Sequence, residues 1–65
     1  MVKINGIPTE LSSDVTAAAW LTEHGYRLDR IAVELNGSIL PKDNYDAAVL
    51  QDGDVLEIVS FVGGG

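Results

Sequence analysis

Two Asn-Gly dipeptides, Asn5-Gly6 and Asn36-Gly37, each lie between short apolar runs, and they constrain the fold more than any other feature. A two-residue hairpin loop matches the twist of its strands only when both central residues take positive φ, a demand that Asn followed by Gly meets at low cost. Val2-Lys3-Ile4 is therefore predicted to pair with a strand from about Ile7 to Leu11, and Ile31-Ala32-Val33-Glu34-Leu35 with Ser38-Ile39-Leu40. Pro8 has no amide hydrogen, so its strand belongs at a sheet edge, and Pro41 ends the fourth strand. The two-residue period turns Ile31, Val33 and Leu35 to one side and Glu34 to the other.

Between the hairpins, Ala17-Ala18-Ala19-Trp20-Leu21-Thr22-Glu23-His24 reads as about two helical turns. Thr16 or Asp14 is the candidate N-cap, Gly25 the terminator, and Ala17, Trp20, Leu21 and His24 share one face. Lys42 to Ala48 is polar, with Tyr45 as its anchor, and Gln51-Asp52-Gly53-Asp54 forms a tight turn. The run from Val55 to Val62 is the longest apolar stretch, which places it at the centre of the sheet. With Glu57 in solvent, Leu56 and Ile58 face the helix, while Val55, Val59 and Phe61 join Glu57 on the open side. One short helix covers only one sheet face. The predicted fold is a two-layer α+β domain with a five-stranded mixed sheet in order 2-1-5-3-4. It is a single domain, 1–65, globular over about 1–61 with a flexible C-terminal glycine tail at 62–65.

A chain of 65 residues without cysteine has neither disulfide nor thiolate zinc to reinforce it, so apolar packing must hold it together. Its net charge of −6, with Lys3, Arg27, Arg30 and Lys42 scattered, argues against nucleic acid and anionic membranes and favours a partner with a basic docking site. No apolar stretch is long enough to span a bilayer, and Met1-Val2-Lys3-Ile4-Asn5 enters structure at once, so no signal peptide and a cytoplasmic location are expected.

Catalytic candidates are sparse. His24 is expected on the core-facing side of the helix end, where a satisfied hydrogen bond is its ordinary role. Ser12, Ser13, Ser38 and Ser60 have no context that would activate a nucleophile. Asp52-Gly53-Asp54 lacks the further oxygen ligands of a calcium loop and reads as a turn, so no metal site is expected. Gly63-Gly64-Gly65 cannot pack a core, but it leaves a carboxylate on a thin, unhindered tether. A frayed end is the bland reading of the same three residues. Phe61, so near the end, either covers a gap in a small core or belongs with Val59 to an exposed docking patch that Glu34 and Glu57 would orient toward a basic partner.

The order of elements, the Gln51-Asp52-Gly53-Asp54 turn, Leu56-Glu57-Ile58-Val59 and the ending Phe61-Val62-Gly63-Gly64-Gly65 resemble the ubiquitin-like β-grasp sulfur carriers, in particular the ThiS type of thiamin biosynthesis. Leu35-Asn36-Gly37-Ser38-Ile39-Leu40-Pro41 followed by Tyr45 looks like that family's middle section. The likeness covers nearly the whole chain and is specific in the C-terminal half. The family requires a Gly-Gly end, so Gly63 is a variation.

The resemblance implies a protein cosubstrate that is not itself an enzyme. An adenylating enzyme of the family that activates ubiquitin-like proteins (ThiF-type) would use ATP on the Gly65 carboxylate. ATP would be the partner's cofactor, and this chain would bind none. A persulfide sulfur donor would then leave a thiocarboxylate, and thiazole synthase (ThiG-type) would take the sulfur. Gly63 and Gly64 would enter the partners' active sites, while Glu34, Glu57, Val59, Phe61 and Val62 would dock. A sister role in molybdopterin synthesis, a ubiquitin-like modifier or interaction module, and a plain structural domain remain the alternatives.

Overall fold

A computed structural model describes residues 1–11 and 14–61. Five strands, β1 (Val2–Ile4), β2 (Ile7–Thr9), β3 (Ile31–Leu35), β4 (Ser38–Leu40) and β5 (Val55–Ser60), form one sheet in the order β2-β1-β5-β3-β4. The only parallel pair is β1 with β5; the other three are antiparallel. Both Asn-Gly turns form as expected, with φ of 50° and 81° at Asn5 and Gly6 and 53° and 85° at Asn36 and Gly37. Strand β2 stops at Thr9 rather than continuing to Leu11. Pro8 stands opposite Lys3 in this edge strand, where its missing N–H costs no rung.

Helix α1 (Ala17–Glu23) lies on one face of the sheet. Thr16 caps it, its Oγ1 accepting the Ala19 N–H at 3.1 Å. The segment from Tyr45 to Leu50 seals the same end: Ala48 and Tyr45 carbonyls accept the Ala17 and Ala18 N–H groups at 2.8 and 2.9 Å. Tyr45 is buried as the anchor of that segment, and burial pushes its phenol above the usual value of 10.0. Gly25, at φ 86°, closes the other end: Tyr26 N–H bonds the Leu21 carbonyl and Gly25 N–H the Thr22 carbonyl, while Tyr26 stacks on Trp20.

The core joins Val2, Ile4, Ile31, Val33, Leu56 and Ile58 of the sheet to Ala17, Ala18, Trp20 and Leu21 of the helix, with Tyr45 and Leu50 closing it. Leu21 and Leu56 are both at 0 % exposure within it. His24 departs from the expectation of a core-facing residue. It is the C-cap, exposed, with its ring stacked on Trp20 at 3.9 Å and Nδ1–H donating to the Trp20 carbonyl at 2.9 Å. The helix has ended by that point, and Trp20 has taken the buried position one turn earlier. The last strand ends at Ser60, short of the expected Val62; the boundary between globular part and tail at residue 62 lies outside the described residues.

Candidate functional site

The open face of the sheet collects the side chains that sequence alternation turns away from α1. On β5 these are Val55, Glu57 and Val59, continued by Phe61, whose N–H bonds the Arg30 carbonyl at 2.8 Å although β5 itself has ended. Register with β3 sets Val59 beside Ala32 and Glu57 directly opposite Glu34. Register with β4 then sets Ile39 beside Glu34. Residues opposed in a ladder share a face. Ile39 thus lies beside the two carboxylates, and Val59 and then Phe61 follow along β5, the three exposed at 67, 60 and 57 %.

This settles where Phe61 lies: it is surface, not cover for a core gap. Glu34 and Glu57 are opposed in the ladder, with Val59 two residues and Phe61 four residues beyond Glu57. Ile39 was not singled out from sequence, although the two-residue Asn36-Gly37 turn, which pairs Leu35 with Ser38, already fixes it on the face of Glu34. Lys3, paired with Val55, lies at the far end of the face. Val62, expected from sequence to dock, and Gly63, Gly64 and Gly65 lie outside the described residues.

The other chemical candidates are taken up by structure. Asp54 accepts the Gln51 N–H at 2.8 Å and an Asn36 amide hydrogen at 3.0 Å, and the Asp52 carboxylate meets the Met1 ammonium, so the acids of this turn serve the turn. Ser38 and Ser60 are exposed within strands, and Ser12 and Ser13 lie outside the described residues. Among the described residues no three His, Cys, Asp or Glu side chains converge on a metal position. The first amides of α1 are all bonded, which leaves no anion cradle there. A surface concavity of 360 Å³ between Met1, Glu10, Leu11, Asp14 and Asp52 opens at the end of the sheet where β5 begins. No helix among the described residues is long and apolar enough to cross a membrane.

The described residues thus form a small core with one amphiphilic open face and a central strand, β5, in its sheet. Residues 2–65 match the family model described as the ThiS family. The chain is 37 % identical to the sulfur carrier protein ThiS of Bacillus subtilis over 67 aligned positions that span both chains completely. It is 45 % identical, over 95 % of its own length, to a thiazole synthase of Paramagnetospirillum magneticum. The chain spans about a fifth of that relative and of a second thiazole synthase, from Magnetococcus marinus. The crystal structure of the thiamine biosynthesis protein ThiS from Geobacter metallireducens superimposes with a TM-score of 0.81 at 30 % identity, covering 98 % of this chain and 97 % of the other. Strand order, helix placement and match over the C-terminal half agree, and the chain belongs to the ThiS family, with its ubiquitin-like β-grasp fold.

Proposed function

We propose that this chain is a sulfur carrier for thiazole formation in thiamin biosynthesis, a protein cosubstrate whose reactive group is the Gly65 carboxylate. The observation that carries this reading is the family match across residues 2–65, which includes the terminal glycines, together with the two thiazole synthases in which the segment similar to this chain makes up about a fifth of the length. A carrier and its acceptor joined in one polypeptide are held at high effective concentration, which is of use only when the two react with each other.

A carboxylate is a poor electrophile, so activation comes first. In a ThiF-type adenylating enzyme the Gly65 carboxylate oxygen attacks the α-phosphorus of ATP and pyrophosphate leaves. The persulfide of a sulfur donor then attacks the acyl carbon and AMP leaves; cleavage of the resulting acyl disulfide by a thiol frees the thiocarboxylate. Positioning supplies much of the rate of such a step, and a Cβ at Gly64 or Gly65 would crowd the acyl carbon and the incoming sulfur. The open face supplies the grip: Val59 and Phe61 are the apolar anchors, Glu34 and Glu57 draw a basic surface toward them, and Val62 is assigned to docking by its place in sequence alone. The chain needs no cofactor of its own in this scheme. On this reading the carrier works in the cytoplasm together with its partners.

Incubation with a ThiF-type enzyme, ATP and a persulfide donor is expected to convert the chain to its C-terminal thiocarboxylate, and a ThiG-type synthase to consume it. Gly65→Ala or deletion of Gly65 abolishes loading without unfolding the domain. Loading of a chain that lacks Gly65 refutes the reading. Consumption only by a molybdopterin synthase subunit assigns the sister pathway, and isopeptide adducts on lysines assign a protein modifier.

A further inference from the structure

Strand β1 ends at Ile4, whereas β5 continues to Ser60. The parallel ladder between them begins with the Lys3 N–H donating to the Asp54 carbonyl and continues with the Asn5 N–H donating to the Leu56 carbonyl, both at 2.9 Å. The next rung of a parallel ladder would set the Ile58 N–H on the Asn5 carbonyl, but Asn5, at φ 50°, already turns the chain back through Asn5-Gly6 into β2. The side chain completes the rung: Asn5 Oδ1 accepts the Ile58 N–H at 2.7 Å. Asn36 does the same near the start of the strand, its Oδ1 accepting the Val55 N–H at 2.8 Å. One asparagine from each hairpin turn therefore pins the central strand.

The two pins differ in what lies beyond them. Past Ile58, the described partners of the chain come from the β3 side alone: Ala32 opposite Val59, Ile31 opposite Ser60, and the Arg30 carbonyl on the Phe61 N–H. Ile58 is thus the last described residue of β5 held from both sides, and its second hold is a side chain. Turn chemistry does not account for that side chain. Asp-Gly and Gly-Gly serve a two-residue hairpin of this type equally well, but glycine has no oxygen to offer Ile58. A strand end held on one side opens more readily than one held on two, and near-attack geometry tolerates little displacement.

We infer that Asn5 is a positioning residue for the chemistry of the C-terminus: by holding the Ile58 N–H it fixes the line along which β5 carries the chain toward Gly65. The inference rests on the carrier reading above. Asn5 lies in the turn that joins β1 to β2, and the docking side chains of the open face do not depend on it directly.

The test measures adenylation of three chains by a ThiF-type enzyme, together with amide hydrogen exchange at Ile58. Asn5→Gly keeps the positive φ but loses the oxygen; Asn5→Asp keeps both. Asn5→Gly is expected to exchange faster at Ile58 and to lose about tenfold or more in kcat with little change in KM, whereas Asn5→Asp recovers most of the rate. If Asn5→Gly does not fold, a synthetic chain with the Ile58 amide replaced by an ester removes the same hydrogen bond and is held to the same result. Wild-type kcat in a variant with accelerated Ile58 exchange overturns the inference, as does an Asn5→Asp chain no faster than Asn5→Gly. Failure of the wild-type chain to form an adenylate overturns the carrier reading and this inference with it.

Discussion

Glu34 and Glu57 stand directly opposite each other in the antiparallel pair of β3 and β5, two carboxylates side by side on an exposed face that also carries Val59, Ile39 and Phe61. Opposed like charges oppose strand pairing, and stability of the free domain gives no reason to keep both. Removing one charge by Glu34→Gln or Glu57→Gln is expected to stabilise the domain by about 0.2–1 kcal/mol, read as a Tm higher by a few degrees. The same variants associate more slowly with the adenylating enzyme, because the field that steers a basic surface is halved. A lower Tm in both variants contradicts this account of the pair.

Phe61→Asp separates docking from folding. The ring is 57 % exposed and its backbone N–H bond to Arg30 survives the change, so stability shifts by no more than about 0.5 kcal/mol. Affinity for the adenylating enzyme, measured by titration calorimetry, falls at least tenfold as a charge replaces an apolar anchor. A large loss of Tm with unchanged affinity would reverse the assignment.

Leu21→Ala tests the core. Leu21 is fully buried at the centre of the helix–sheet contact, and the truncation costs about 2–5 kcal/mol. A domain of this length has a total stability of about 3–10 kcal/mol, so urea denaturation is expected to show a large share of that stability lost and a markedly lower midpoint. A loss under about 1 kcal/mol would mean that the helix is not seated as described.

Thr16→Ala removes the only side-chain cap of α1, whose helical span is just Ala17–Glu23. The expected cost is about 1 kcal/mol, most of it recovered by Thr16→Ser, which keeps the accepting oxygen. Equal Tm values for the alanine and serine variants would show that the lacing of Ala17 and Ala18 to Ala48 and Tyr45 holds the helix start alone.

The fold was legible where local chemistry has one solution. Asn5-Gly6 and Asn36-Gly37 can hardly be anything but hairpin turns, Pro8 selects an edge, and the alternation Leu56-Glu57-Ile58-Val59 assigns the two faces of a central strand; those choices fix the sheet order. What stayed hidden depends on contacts distant in sequence. Nothing local says that Asn5 reaches Ile58, 53 residues away, or that Leu50 closes the core beneath the connector. His24 misled because helical periodicity was carried one residue past the point where Gly25 and Tyr26 end the helix. On the open face, Phe61 was ambiguous in sequence because an apolar residue after a central strand can turn either way. Ile39 was readable from hairpin register but is an isolated apolar residue in a short strand, a common and uninformative pattern.

The most direct test of the central claim is the intact mass of the native protein isolated from its own cells under conditions of active thiamin synthesis. The account predicts a polypeptide ending at Gly65, part of it heavier by the exchange of one oxygen for sulfur, with the extra mass confined to the C-terminal residue in fragment spectra. A chain that carries no sulfur at Gly65 under those conditions, or that is found joined through Gly65 to lysines of other proteins, would contradict it.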